Sequence, residues 1–362
     1  MNRTTSLGVI ALCFCSSFVV AEDVTPQSSL VVDVPFSKAF PAASGKIIEI
    51  PGMDTWPSSL IYDQGNLGSD VSNAIAFVAR YFSVRQFGIN GHLDPSRLYL
   101  YWNARHFEKT VMPSSGIDTT IDSGTSVFGA LLSLKETGCA PENVDWNIGT
   151  VNYSELTGSY NYKGWAYSDN SSQYKKQPDP MSYTIALTED ISFDSVGKGQ
   201  IGLGVQRKLR DQSLPKVNPF PSLCKKIKSY DIAGPYRKAN WKIKNTDAEK
   251  SEVRAKILNA LGKGHPVLTG LYLDNSFYSA VGTGIVPTPK LDTFSPIGGH
   301  AVVIIGYGPY VKNQPQVMYY KAINSWGLWG AKGFVYLSDD YITNVNTFQE
   351  EIFEMWHPSV TN

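Results

Sequence analysis

The order in which the hydrophobic period changes along the chain limits its fold more than any other feature. Helical periods come first. Residues 66–87 place Ala74, Ile75, Phe77, Val78, Tyr81 and Phe82 on one helical face, with Asp70 and Ser72 near the start, an amphipathic pattern. Residues 122–139 read as a second helix, capped by Asp122 or Ser123 and stopped by Gly138. Residues 247–264 read as a third, ending at Gly264. Strand-like runs follow at 265–273, 300–308, 317–327 and 333–338. Helices first and strands later define an α+β chain with two segregated halves and no internal repeat.

The texture changes between residues 149 and 215. The stretch YSELTGSYNYKGWAYSDNSSQYKKQ is rich in Tyr, Ser, Asn and Lys and weakly periodic. It reads as an insertion, either with a small sheet of its own or as a mobile loop. At the N-terminus, Arg3 precedes an apolar run from Leu7 to Val20 that is short for a bilayer, and Val19 and Ala21 fit a cleavage pattern. Residues 1–21 therefore read as a secretory signal, a retained anchor being the alternative. Residues 22–50 read as an extended leader, and 51–362 as the main domain containing the 149–215 insertion. The expected location is secreted or periplasmic, with no membrane contact after signal removal.

Charge and cysteine usage exclude several classes of function. Lys+Arg and Asp+Glu balance at 32 each, so neither nucleic acid nor an anionic membrane is expected as partner. The five His are scattered and no metal spacing is visible, so neither metal nor cofactor is expected. Cys13 and Cys15 leave with the signal. Cys139 and Cys224 remain, and an even pair in a secreted chain points to one disulfide, with two separately buried thiols as the alternative.

Three segments carry the chemistry: DQGNLGSD (63–70), GGHAVVIIGYG (298–308) and INSWGLWGAKGF (323–334). Their order, flanks and distances resemble the papain family of cysteine peptidases, in particular secreted bacterial-type members, over roughly residues 57–337 outside the insertion. The resemblance implies a papain-like fold of two subdomains, a helical left half and an antiparallel, β-barrel-like right half with a cleft between them. It places the oxyanion amide at Gln64, the nucleophile position at Asp70, the base at His300 and the orienting amide at Asn324. Trp326 would cover the His–Asn pair, while Gly68, Ser69, Gly298 and Gly299 would line or support the cleft. In such a site a helix N-terminus and an imidazolium lower the pKa of a thiol. An Asn carbonyl holds the imidazole, and amide donors receive the oxyanion.

The departure falls at the decisive place, because Asp70-Val71 stands where the family has Cys-Trp. Cys139 ends a different helix, and Ser69 and Ser72 point elsewhere around the helix than residue 70. A carboxylate is a poor nucleophile towards an amide, and its attack would give an unfavourable anhydride. It suits a helix N-terminus as a cap and can pair with His300. Three readings follow. The first is a peptidase homologue without thiol chemistry whose cleft still binds a peptide or protein. The second is a hydrolase of altered chemistry in which an Asp70–His300 dyad activates water. The third is an interaction module working through the 149–215 insertion. The oligomeric state is not legible.

Overall fold

The computed structural model describes residues 47–360 apart from 91, 93, 143–145, 154–155, 163–166, 168–172, 179–181, 184–185, 187–219, 234–244, 291, 311–316 and 346–348. The expected signal, most of the leader and much of the insertion lie outside the described residues. Strand β1 (Ile48–Glu49) leads to helices α1 (Asp70–Phe87), α2 (Arg97–Val111) and α3 (Val127–Thr137). A hairpin of β2 (Trp146–Tyr153) and β3 (Leu156–Tyr162) forms a two-stranded sheet of its own. Then come α4 (Phe220–Lys226), β4 (Lys228–Asp231), α5 (Asp247–Gly262), β5 (Val267–Leu273), β6 (Ile285–Val286), β7 (Gly298–Pro309), β8 (Met318–Ile323), β9 (Phe334–Ser338), α6 (Asp339–Thr343) and β10 (Gln349–Trp356). The large sheet runs β4-β10-β5-β7-β8-β9-β6, with β1 added alongside β7. All its pairs are antiparallel except β6–β9. Helices in the first half and a sheet in the second match the α+β expectation.

Helix α1 is buried continuously from Val71 to Ser83, so it is a core helix and not the amphipathic one its sequence pattern predicts. Two of its polar residues find partners within or beyond the helix, as buried polar groups usually do, while the buried Ser72 hydroxyl has none among the described residues. Asn73 Nδ2 donates to the Ser69 carbonyl at 2.8 Å, and Arg80 reaches Asp94 and the Leu60 carbonyl. Helix α3 also starts later than expected. Its N-cap is Ser126, which accepts from Gly129 N, while Asp122 is turned to another use described below. Gly138 does stop α3, at φ +63°, where a Cβ would collide with the Ala186 carbonyl. Helix α5 begins in a capping box, Thr246 with Glu249. Cys139 and Cys224 are joined in a disulfide with Cα atoms 5.8 Å apart, tying the end of α3 to α4.

One buried cation holds the helical half to the loop before α1. Arg97 pairs with both oxygens of Glu142 at 2.9 and 2.7 Å. It also donates to the Asp63 carbonyl and to Asn73 Oδ1, at 3.0 and 3.1 Å. Its guanidinium lies over the rings of Tyr62 and Tyr167. Arg97→Ala strands a buried carboxylate, so urea unfolding is expected to show a loss of about 3–5 kcal/mol.

In the sheet, Glu354 lies 2.7 Å from His265 Nδ1 and 3.5 Å from Lys263 Nζ. Burial pushes its carboxyl up, but the His265 hydrogen bond and the neighbouring positive charges outweigh it and hold the pKa below the ordinary value. A lowered folded pKa stabilises above the unfolded carboxylate range and loses that contribution as pH falls through the lowered value. Glu354→Gln is therefore expected to cost stability near neutral pH and to lose less on acidification than the parent, read by unfolding at pH 7 and pH 3.

Candidate active site

Three separated stretches converge beside the start of α1. The turn at 63–69 delivers Gln64 and leads into α1, whose first helical residue is Asp70. The expectation that Asp70 caps this helix is corrected. Ser69 holds the N-cap position and makes no side-chain capping bond, leaving Asp70 in the first turn, where the helix dipole favours a carboxylate. Strand β7 carries Gly298, Gly299 and His300, in register with Leu273, Tyr272 and Leu271 of β5. Asn324 and Trp326 follow β8.

His300 sits between two partners and is 5% exposed. Its Nε2 lies 2.7 Å from Asn324 Oδ1, so the ring donates there. Its Nδ1 faces Asp70 Oδ2 at 3.6 Å. The Trp326 ring covers the imidazole with centroids 4.6 Å apart, and Phe277 closes from the edge at 5.9 Å. Tyr278 stacks on Trp326, and Trp329 packs against it. The aromatic wall thus restricts water around the His300–Asn324 bond while Asp70 stays partly exposed.

Gln64 is buried and fixed at both ends of its amide. Nε2 donates to the Leu67 carbonyl at 2.9 Å, and Oε1 accepts from Ser325 Oγ at 2.5 Å. Gln64 N also donates to the Ser325 carbonyl at 2.7 Å. Gly327 follows at φ +56°, where a Cβ would meet Asp63 Oδ2 at 2.9 Å, so the approach of the two loops needs glycine there. Gly68 N donates to Asp122 Oδ2, and Asp122 also takes the Tyr101 hydroxyl. Ser69 is fully buried, with Oγ 2.6 Å from Tyr167 OH, so it supports the turn and does not line the cleft. Gly298 and Gly299 are exposed. Leu67 packs with Leu98, Tyr101 and Tyr174.

Three contributors escape the sequence patterns. Ser325 lies inside the Asn324–Trp326 motif but its role depends on a partner 261 residues away. Asp122 reads as a helix cap and instead anchors Gly68. Tyr167 touches Ser69 and donates to the Gln64 carbonyl at 2.7 Å. No signal in the sequence ties it to the site. Among the described residues both cysteines are in the disulfide, no group of His, Cys, Asp and Glu could hold a metal, and no helix is long and apolar enough to cross a membrane.

The fold is papain-like. Residues 218–354 match the model of the papain family cysteine proteases, a segment that carries His300 and Asn324. The matched segment does not include Gln64 or Asp70, which are joined to it here by geometry. The chain is 23% identical over 324 residues to an uncharacterized peptidase C1-like protein of Acanthamoeba polyphaga mimivirus, covering 87% of this chain and 77% of the relative. It is 23% identical over 209 residues to testin-2 of Mus musculus, covering 56% and 61%. Among solved structures, xylellain, a cysteine protease from Xylella fastidiosa, superposes with a TM-score of 0.51 at 19% identity, over 82% of each chain.

The Gln64–Ser325 contact gives a direct test of how the two loops are held. Ser325→Ala leaves a buried amide oxygen without its donor and is expected to cost about 1–3 kcal/mol in chemical unfolding.

Proposed function

We propose that this chain is an extracytoplasmic member of the papain family that has no thiol peptidase chemistry and uses its cleft to hold an extended peptide or protein segment. One observation carries the reading. A carboxylate, Asp70, faces His300 Nδ1 at 3.6 Å, while His300 pairs with Asn324 under the Trp326 ring. An Asp70–His300 pair can hold the charge pattern of a thiolate–imidazolium pair. It lacks the thiolate nucleophile, since carboxylate attack on an amide ends in an unfavourable anhydride. The two mature-chain cysteines are joined to each other and supply no replacement. The disulfide and the N-terminal signal pattern support a location outside the cytoplasm.

The cleft supports ligand binding in its own right. The exposed Gly298–Gly299 backbone offers main-chain hydrogen-bonding groups beside His300, and the Trp326–Tyr278 wall offers aromatic surface. A second reading is favoured by the retained Gln64, His300 and Asn324. In it, Asp70 and His300 activate water for hydrolysis.

Incubation of the mature protein with a broad peptide library separates the two, with Asp70→Ala as the matched blank. The expected outcome is no cleavage by either protein, with saturable binding of a subset of peptides to the parent. Cleavage that disappears in Asp70→Ala would establish the hydrolase instead.

A further inference from the structure

Asn324 lines a cavity of about 10 Å³ that it shares with Ser325, Tyr62 and Asn73. That is roughly the room one water molecule needs. Phe77, Val303 and Ile323 are among the residues that complete the wall. Two residues of this wall carry buried polar atoms with no hydrogen-bond partner among the described residues. They are the Tyr62 hydroxyl and Asn324 Nδ2. Tyr62 is 6% exposed and Asn324 1%, so bulk solvent does not serve them.

Neither group is free to turn elsewhere. The Ser325 backbone N–H, which can only donate, lies 2.8 Å from Asn324 Oδ1 and fixes which end of the amide is oxygen. His300 Nε2 meets the same oxygen at 2.7 Å. A half-turn of the amide would set its NH2 against both donors. The Tyr62 ring is clamped in turn. The Arg80 guanidinium lies 3.7 Å from its centroid and that of Arg97 lies 4.3 Å away. The Tyr62 carbonyl also accepts from Gly327 N at 3.0 Å, which ties Tyr62 to the loop that carries Asn324. Burial pushes the Tyr62 phenol far above the ordinary tyrosine range, so its hydroxyl stays protonated. Asn73 Oδ1 takes one bond from Arg97 and keeps a second lone pair. Buried donors of this kind are costly to leave unmade, and a roomy site with several polar partners is where internal water is found.

We infer that a single internal water occupies this cavity and joins Asn324 Nδ2 to the Tyr62 hydroxyl. It accepts from Nδ2, exchanges a bond with the hydroxyl and has Asn73 Oδ1 as a further acceptor. Tyr62 is then a positioning residue. Held between two guanidiniums, it steadies through the water the amide that keeps the His300 ring in one tautomer. The Arg97 network thus reaches His300 by this route as well as through the Asp63 carbonyl. The role belongs to the frame of the site and is the same whether the cleft holds a peptide or hydrolyses one.

The test is a crystal structure of the mature protein at a resolution that orders internal water, paired with NMR of the His300 ring. The expected result is one water within about 3.2 Å of both the Tyr62 hydroxyl and Asn324 Nδ2. A cavity without water density, or direct contact between the two groups, would overturn the inference. Tyr62→Phe keeps the ring between the guanidiniums and removes the hydroxyl. In that variant the His300 Nε2 proton is expected to exchange with solvent about tenfold faster or more, with amide exchange along β7 and β8 unchanged. An Nε2 proton as protected as in the parent, or a loss of protection shared equally by β7 and β8, would overturn the positioning role. If Tyr62→Phe fails to fold, the water in the parent structure decides.

Discussion

The two halves of the site are locked together where Gln64 meets Ser325. One backbone bond and one side-chain bond join the turn before α1 to the loop after β8, and both are buried. Everything else about the site follows from that register. It sets Asp70 opposite His300, and it brings Asn324 to the imidazole with Trp326 above it. Neither loop makes this arrangement alone. The Arg97 network fixes the first loop through the Asp63 carbonyl, and the β7–β8 pairing fixes the second.

Within that frame a single atom type changes the chemistry. A thiolate at the start of α1 would be stabilised by the helix N-terminus and by His300, and would attack a carbonyl. A carboxylate in the same place is a far poorer nucleophile towards an amide. The surrounding donors, ring packing and glycines are indifferent to the difference.

Legibility in the sequence followed the distance over which each feature is encoded. The His300 and Asn324 stretches are local motifs, and the helices-then-strands order is local periodicity, so both could be read. The burial of α1 could not. Asn73 and Arg80 look like part of a polar face until their partners Arg97 and Asp94 are known. Strand β10 was hidden by Glu350, Glu351 and Glu354, because acidic residues argue against a buried strand. Glu351 is accommodated by the end of α3 and Glu354 by His265, both distant in sequence. Asp122 reads as a cap for the same reason, since a capping residue and a loop anchor carry the same side chain. A strand starts at Trp146, and Tyr167 reaches the Gln64 carbonyl, a contact that no local pattern announces.

The account stands or falls on whether the frame around residue 70 is still organised for a thiolate. The direct measurement is the rate of alkylation of Asp70→Cys by iodoacetamide across pH, compared with the same substitution in a His300→Ala background. An organised site predicts rapid alkylation well below the ordinary thiol range near pH 8.5 and its loss when His300 is removed. Alkylation that follows an ordinary thiol, unchanged by His300→Ala, would contradict it.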